Sequence, residues 1–247
     1  MRVAFLAYRG SMRSGGLGIY LHALTRQLAE RGIEIDLYVG PPYPDPMPWL
    51  RTIEIENPRF WDKKFQPGWS GFLPDSRFSI FRPLDFWEFL VTRFGFFPEP
   101  FAFSMRAARA VLANARRGVR YDLVHDVQTL GYGALWLRAM GVPVVSTVHH
   151  PLTIDRRTSL ARDRNFLDYK GSLTFHPVRS QARVARRLDA MITSSEASVD
   201  ELERGFGVRR ERIHNVSNGV DLPPPGRLRP RPERDELLFM EIGRAHV

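Results

Sequence analysis

The sequence contains no cysteine, few lysines and no long uninterrupted hydrophobic run. Without cysteine the chain cannot form a disulfide scaffold, a thiolate metal site or a cysteine nucleophile, and it suits a reducing compartment. The apolar residues after Met1 are too few for the core of a signal peptide. Spanning a bilayer needs about 20 apolar residues, and charges and prolines interrupt residues 81–103. These absences predict a cytoplasmic protein, either soluble or peripheral to the inner face of the membrane.

The charge of the chain is strongly basic. Only three of its 36 basic side chains are lysines, and the formal net charge is +9. A basic surface suits nucleic acid, anionic lipid or phosphorylated substrates. Because no motif of a nucleic-acid-binding fold accompanies this charge, we expect no nucleic-acid partner.

The arrangement of apolar residues predicts the fold class. The 247 residues suffice for one large domain, or for one domain and the beginning of another. Short apolar runs alternate with segments of helical periodicity, which predicts an α/β fold with a doubly wound, parallel, Rossmann-like sheet. From about residue 41 to residue 100 the alternation stops, and prolines and aromatic residues crowd a segment that we interpret as an insertion.

The last part of the chain differs in composition from the rest. We assign residues 1–221 to one domain, the proline- and arginine-rich residues 222–235 to a linker, and residues 236–240 to the first strand of another domain. Residues 241–247 spell E-I-G-R-A-H-V, which resembles the translation of a common short-read sequencing adapter. We expect this segment to be an artefact and assign it no role.

A glycine-rich turn leads from the first strand into the first helix. In parallel sheets, such a turn lets backbone N–H groups meet a phosphate. A dinucleotide fingerprint beginning at Gly16 and Gly18 needs a third glycine where Leu21 stands. Asp36 near the end of the second strand imitates a ribose-binding acid, so an NAD(P)-dependent oxidoreductase stays an alternative. The turn is equally compatible with another phosphate ligand or with a purely structural role.

Four sequence blocks together resemble those of the retaining GT-B glycosyltransferases of family four. Each block is weak alone, but the four occur in the family's order and span residues 1–221 except the insertion. The blocks are the glycine loop with L-T-R-Q-L-A-E-R-G-I-E-I at 24–35, Y-D-L-V-H at 121–125, G-V-P-V-V-S-T-V-H at 141–149, and A-M-I-T-S-S-E at 190–196 with I-H-N-V-S-N-G-V-D at 213–221. The resemblance implies an N-terminal, acceptor-side domain of an enzyme that transfers a sugar from a nucleotide-diphosphate sugar with retention.

The resemblance also assigns roles to individual residues. Gly16 and Gly18 fall where the family's loop approaches the donor diphosphate. His149 falls where the family has an active-site histidine that contacts the sugar, and we predict it as the catalytic residue. Its imidazole can donate a hydrogen bond to a sugar hydroxyl. His150 ranks second, because adjacent side chains on an extended strand point to opposite sides.

Further candidate substrate-binding residues follow other strands. Gln128 lies where the family often has acceptor-side or structural polar residues. Ser195 and Glu196 begin a helix and are alternatively its cap. Asn218 and Gly219 border the family's interdomain cleft, or form a turn required by backbone geometry.

The resemblance implies neither a metal nor a bound cofactor, and no metal cluster or carboxylate pair in the sequence argues otherwise. The family's paired glutamates and most of its nucleotide pocket belong to a C-terminal domain, so we expect this chain alone to be inactive or nearly so. The expected partners are a nucleotide-sugar donor and a sugar, lipid-linked or small-molecule acceptor. The expected process is glycan, glycolipid or cell-envelope synthesis.

The aromatic insertion has three interpretations: a packed subdomain, an acceptor pocket, or a surface facing an anionic membrane. We favour the packed subdomain, because aromatic clusters are more often core than binding site. Two helices carry arginines that favour membrane contact: Arg106, Arg109, Arg116 and Arg117 on one, and Arg179, Arg183 and Arg187 on the other. Besides the oxidoreductase, a non-catalytic nucleotide-binding or membrane-docking domain remains an alternative function.

Overall fold

Seven strands pair in parallel in the computed structural model, which describes residues 1–13, 15–58, 60, 82–175 and 177–219. In chain order they are β1 (Arg2–Ala7), β2 (Glu34–Val39), β3 (Arg51–Glu54), β4 (Leu123–Val127), β5 (Val144–Thr147), β6 (Ala190–Thr193) and β7 (Ile213–Asn215). Across the sheet the order is β3-β2-β1-β4-β5-β6-β7. The chain therefore starts in the middle of the sheet and winds outward in both directions, which confirms the predicted doubly wound fold.

Helices connect the strands. Those that the structure describes are α1 (Gly16–Glu30), α2 (Pro83–Arg93), α3 (Glu99–Arg116), α4 (Tyr132–Ala139), α5 (Leu152–Arg162), α6 (Phe166–Phe175), α7 (Val178–Ala185) and α8 (Glu196–Phe206). Among the described residues, no helix combines the length and apolar character needed to cross a bilayer.

Both faces of the sheet are covered, as the alternate side chains of β1 show. Val3 and Phe5 belong to a buried cluster with Leu21 of α1. Ala4 and Leu6 point the other way, into a second cluster that includes buried side chains of α3 and α4. Because successive strand residues face opposite sides, a run of apolar residues such as β1 is required where helices pack on both faces.

The chain divides into two units. Met1–Ser217 form one compact unit, and Asn218–Val247 form a second. The predicted linker at 222–235, the predicted strand at 236–240 and the segment 241–247 lie outside the described residues.

Regular structure occurs inside the range predicted as an insertion. β3 extends the main sheet by pairing with β2, and α2 lies directly before α3. The sequence pattern does not indicate β3, because this edge strand is mostly exposed and has no apolar run. Residues 61–81 of the insertion lie outside the described residues.

Arg106 is one of the arginines that favour the membrane-facing alternative, but its side chain points inward in the structure. Its Nη2 donates to Asp85 Oδ1 at 2.6 Å and also to Glu88, and all three side chains are largely buried. Burial raises the pKa of Glu88 to about 7, although the neighbouring Arg106 favours the ionised carboxylate. This ionic cluster joins α2 to α3 and supports the interpretation of this part of the insertion as a packed subdomain.

The structure also gives Asp36 a role other than ribose binding. It lies inside β2, is 1% exposed, and accepts hydrogen bonds from both Nε and Nη2 of Arg51 at 3.0 and 2.7 Å. Arg2 and Tyr121 donate to the same carboxylate. Burial alone would raise the pKa of Asp36, but the hydrogen bonds from Tyr121, Arg2 and Arg51 outweigh it and lower the pKa. Asp36 therefore fixes β3 to β2 and is not placed to bind a ribose.

We predict that Asp36→Asn lowers the free energy of unfolding by about 2 to 3 kcal/mol at pH 7, because two arginines lose their buried anion. Since the pKa of Asp36 is lowered in the folded state, its contribution is present above the pKa of an unfolded aspartate and is lost as the pH falls through the folded-state pKa. Urea denaturation at pH 7 and at about pH 3 measures both effects. Glu34→Gln is the control, because Glu34 pairs with Arg2 at 3.7 Å while being 73% exposed. Equal losses in the two variants would contradict the prediction.

Candidate active site

The carboxyl ends of β1, β4 and β5 lie side by side in the sheet. Gln128 directly follows β4, and His149 follows β5 after one intervening residue. The N–H of Gln128 donates to the carbonyl of Thr147 at 2.8 Å, so the β4–β5 ladder continues to this edge. Ligands of open parallel sheets bind at this edge.

His149 is half-buried between the end of β5 and helix α1. Its ring meets the ring of Tyr20 edge-on, with 4.2 Å between centroids and 77° between planes. Its Nε2 is buried and has no hydrogen-bond partner in the part of the chain that the structure describes. Burial lowers the pKa of His149, so its imidazole is neutral at pH 7. A neutral imidazole carries one donor and one acceptor nitrogen, and either can serve a hydroxyl.

Gln128 connects the ends of the two central strands. Its Oε1 accepts from the backbone N–H of His149 at 3.2 Å, and its Nε2 donates to the carbonyl of His150 at 3.4 Å. The backbone of Gln128 is left-handed, with φ of 59°, which is unusual for a residue other than glycine. The side chain of Gln128 therefore holds the backbone that carries His149.

A hydrogen bond to Asp126 holds the loop that follows Gln128. Leu130 also has a left-handed backbone, with φ of 48°, and its N–H donates to the buried carboxylate of Asp126 at 2.9 Å. Ser146 donates to the same Asp126 oxygen at 2.7 Å. Because strained backbone persists only where its surroundings enforce it, these bonds account for the shape of the loop.

Tyr20 and Thr147 also belong to the site, although the sequence did not predict a role for either. Tyr20 and Thr147 form a polar chain with His125: the Tyr20 hydroxyl lies 3.4 Å from Thr147 Oγ1, which lies 2.7 Å from His125 Nε2. Burial lowers the pKa of His125 to about 4, with a smaller contribution from His149, so His125 is neutral and structural. Only its position could have indicated a role for Tyr20 from the sequence. It lies two residues after Gly18, in the first turns of a helix that starts at the carboxyl edge of the sheet.

The glycines at the start of α1 differ in their surroundings. A Cβ on Gly18 would lie 2.4 Å from the carbonyl oxygen of Ser11, so only glycine allows this packing. A Cβ on Gly16 would meet no described atom within 4 Å. Gly15, the N-cap, has φ of 121°, and the first turn carries no acidic side chain. The structure thus gives Gly18 a packing role and leaves the N-terminus of α1 open at Gly16.

The side chain of His150 contacts α5. It is exposed, and its Nε2 lies 2.8 Å from Asp155 Oδ1. Of the residues predicted near the substrate, the structure brings Gln128, His149 and the backbone of His150 together.

Ser195 and Glu196 lie at the start of α8. Ser195 Oγ accepts from the N–H of Ser198 at 3.2 Å, which is an N-cap. Glu196 pairs with Arg210 at 3.1 Å and accepts from Asn215 Nδ2 at 2.8 Å. Their contacts are therefore with α8, β7 and the turn between them.

Asn218 and Gly219 are exposed and belong to the second unit of the chain. For metal ions, the residues that the structure describes contain no group of three or more histidine, aspartate or glutamate side chains arranged to hold one.

We predict that Thr147→Val lowers the free energy of unfolding by about 1 to 3 kcal/mol, because the buried Nε2 of His125 loses its partner. Urea denaturation at pH 7 measures the loss. Thr52→Val on the exposed edge strand β3 makes the same chemical change and should leave stability within about 0.5 kcal/mol. An equally small effect at Thr147 would show that the bond contributes nothing.

Comparison with known proteins identifies the family. The sequence profile described as Glycosyltransferase Family 4 matches residues 14–223. The chain is 39% identical over 242 residues to an MMP alpha-(1->4)-mannosyltransferase of Mycolicibacterium hassiacum, covering 94% of this chain and 56% of that protein. It is 27% identical over 225 residues to a D-inositol 3-phosphate glycosyltransferase of Xylanimonas cellulosilytica, covering 86% and 44%. The chain spans about half the length of these curated relatives.

A solved structure shows the same fold. The crystal structure of WaaG, a glycosyltransferase involved in lipopolysaccharide biosynthesis, matches with a TM-score of 0.51 and 12% identity, over 89% of this chain and 45% of that one. The resemblance seen in the sequence is confirmed, and the oxidoreductase alternative is not favoured. This chain belongs to glycosyltransferase family 4, within the GT-B group of folds.

Proposed function

We propose that this chain is the N-terminal, acceptor-side domain of an enzyme that transfers a sugar from a nucleotide-diphosphate sugar to a hydroxyl of an acceptor, with retention at the anomeric carbon. The observation that carries the proposal is the buried, unpartnered Nε2 of His149 beside the open start of α1. Family membership over residues 14–223 supports it. A second domain, which supplies the paired glutamates and most of the nucleotide pocket in the family, completes the enzyme.

The start of α1 has the character of a diphosphate site. The first N–H groups of a helix have no partner within the helix, and the helix dipole adds partial positive charge there. With no Cβ at Gly15 or Gly16, a phosphate oxygen can approach these N–H groups closely. Backbone donors fixed in this way stabilise the negative charge that develops on a departing nucleoside diphosphate. Metal-independent transfer is part of this proposal.

His149 is proposed to hold the sugar at the reaction centre. Because its imidazole is neutral, it forms a hydrogen bond with a sugar hydroxyl without adding a positive charge next to the anomeric carbon, where positive charge develops. Gln128 and Tyr20 fix its backbone and its ring plane. The 39% identical relative is named a mannosyltransferase, so we propose mannose as the transferred sugar and a glycoside as the acceptor.

In the complete enzyme, we predict that His149→Ala lowers kcat about 10²- to 10³-fold, because a bond to the reacting sugar is lost. The measurement is transfer from nucleotide-diphosphate mannose and glucose donors to a glycoside acceptor panel, with urea denaturation to verify folding. His150→Ala is the matched control, since the exposed His150 contacts Asp155, and its kcat should stay within about threefold of the unmodified enzyme. Full activity in His149→Ala, or equal losses in the two variants, would overturn the role of His149.

Peripheral contact with an anionic membrane on the cytoplasmic side is a further part of the proposal. One face of α2 exposes Phe86 and Leu90, and the exposed Phe94 follows as the C-cap of the helix with the same spacing of four residues. Arg109 and Arg116 are exposed on the neighbouring α3. Helices that lie at the surface of anionic bilayers typically combine exposed apolar side chains with basic ones.

We predict that the chain sediments with vesicles containing phosphatidylglycerol and not with pure phosphatidylcholine vesicles, and that raising the salt concentration weakens this binding. Replacing both Phe86 and Phe94 by serine should lower the bound fraction severalfold. Phe166→Ser is the control, because Phe166 is an exposed aromatic residue on α6. Equal binding to neutral vesicles, or an equal loss in the control, would remove this part of the proposal.

A further inference from the structure

Asp126 is a buried carboxylate next to the candidate site. It belongs to β4 and is 1% exposed. Its Oδ2 accepts two hydrogen bonds, from the N–H of Leu130 at 2.9 Å and from the hydroxyl of Ser146 at 2.7 Å. Burial raises the pKa of Asp126, although hydrogen bonds from Leu130, Ser146 and Thr129 favour the ionised form. Because burying a carboxylate is costly, its bonds must compensate for the lost hydration.

The side chain of Asp126 points away from the site. The preceding residue, His125, bonds to Thr147, which lies 3.4 Å from a hydroxyl of α1. Successive side chains of a strand face opposite sides of the sheet, so Asp126 and Ser146 meet on the side away from α1. The carboxylate therefore does not reach a sugar held at His149, and its influence on His149 passes through the backbone.

The two bonds of Asp126 hold both of the chain segments that form the site. The bond from Leu130 closes a turn at residues 126–130, and Gln128 lies in the middle of this turn. The bond from Ser146 fixes β5 at the residue that pairs with Asp126 in the sheet, three positions before His149. One carboxylate oxygen thus joins the turn that carries Gln128 to the strand that leads to His149.

The turn depends on this oxygen for its shape. Gln128 and Leu130 both have left-handed backbone, which persists only where the surroundings enforce it. The bond from the N–H of His149 to Gln128 Oε1 is 3.2 Å, at the long end of ordinary N–H···O bonds. If Asp126 no longer holds Leu130, the turn relaxes and Gln128 loses its contact with His149.

We propose that Asp126 is a positioning residue of the transferase, whose carboxylate keeps the turn at residues 126–130 joined to β5 and so keeps the imidazole of His149 beside Tyr20. The assignment rests on the proposed function, in which His149 holds the sugar. Burial, and not a nearby charge, lowers the pKa of His149. A neutral side chain with the same acceptor oxygen should therefore replace Asp126.

The first experiment follows the imidazole of His149 by NMR in the full chain, with its signal assigned by its loss in His149→Ala. In the unmodified chain it should titrate below an ordinary histidine, because burial disfavours the charged form. Asp126→Ala should raise this pKa by about 0.5 pH units or more, since the released ring becomes more exposed to water. Asp126→Asn should leave it nearly unchanged, because the amide oxygen can accept the same two bonds.

Asp189→Ala is the matched control. Asp189 also accepts from a backbone N–H of β5, that of Val144 at 2.9 Å, but at the amino end of the strand. Its removal should leave the titration of His149 unchanged. If Asp126→Ala does not fold, Ser146→Ala removes one of the two bonds and should raise the pKa of His149 in the same direction. An unchanged titration in the folded variant, or an equal rise in Asp189→Ala, would overturn the proposal.

The second experiment measures sugar transfer by the complete enzyme. Asp126→Ala should lower kcat about tenfold and leave the donor KM within about threefold, because the diphosphate contacts at α1 remain. Asp126→Asn should restore kcat to within about threefold of the unmodified enzyme. In an enzyme that already carries His149→Ala, Asp126→Ala should lower kcat less than about twofold further, since a residue that acts through His149 then has nothing to position.

The two experiments separate this inference from the proposed function. If the enzyme transfers sugar but the losses in Asp126→Ala and His149→Ala are fully additive, the positioning role fails while the transferase function stands. If the complete enzyme transfers no sugar, the proposed function fails, and the NMR titration decides by itself whether Asp126 holds His149 in place.

Discussion

Parallel pairing between β4 and β5 is the constraint on which the candidate site depends. The register aligns Val124 with Val144 and Val127 with Thr147, so both strands end together at one edge of the sheet. The side chain of Gln128 then continues the pairing beyond the last strand residues, with one bond to the N–H of His149 and one to the carbonyl of His150. His149 reaches the ring of Tyr20 because its backbone is held in this way.

The loop at residues 128–131 has different environments on its two sides. Toward α1 the surroundings are polar and open, with the N–H groups after Gly15 and the neutral imidazole of His149. Toward α2 and α7 they are apolar, with the rings of Trp87 and Phe101. In the proposed enzyme the charged donor lies on the α1 side of this loop.

Much of the fold follows from the sequence because strands covered on both faces are apolar throughout and glycines mark the helix ends. β1 is apolar from Val3 to Ala7, and α8 ends at Phe206 directly before Gly207, whose backbone is left-handed. β3 carries no such pattern, because an edge strand needs little apolar surface. Spacing along the chain does not show that Arg51 reaches Asp36 from that edge strand, so the sequence alone leaves a ribose-binding role for Asp36 as an alternative. The sequence does not indicate Tyr20 for a related reason, because its contact with His149 joins distant parts of the chain.

Arginine accounts for nearly all the basic side chains, and several of them act inside the structure. Arg106 meets two buried carboxylates between α2 and α3, and Arg51 binds Asp36 with two parallel hydrogen bonds. A planar guanidinium suits such paired contacts, whereas the compact ammonium group of lysine does not reproduce them. Composition alone therefore overstates how much of the basic charge is available to a membrane or a phosphate.

The left-handed backbone at Gln128 places two opposing demands on one position. Glycine and asparagine adopt that conformation with less strain than glutamine. Glycine has no side chain to bridge the strands, and asparagine is one methylene shorter than the side chain that now spans from His149 to His150. Replacing Gln128 by glycine or asparagine thus relaxes the backbone but loses the side-chain bonds that hold His149. A side chain as long as glutamine keeps these bonds but also keeps the backbone strain. In evolution, such a position is confined to very few residues by geometry alone, even if its side chain never touches the substrate.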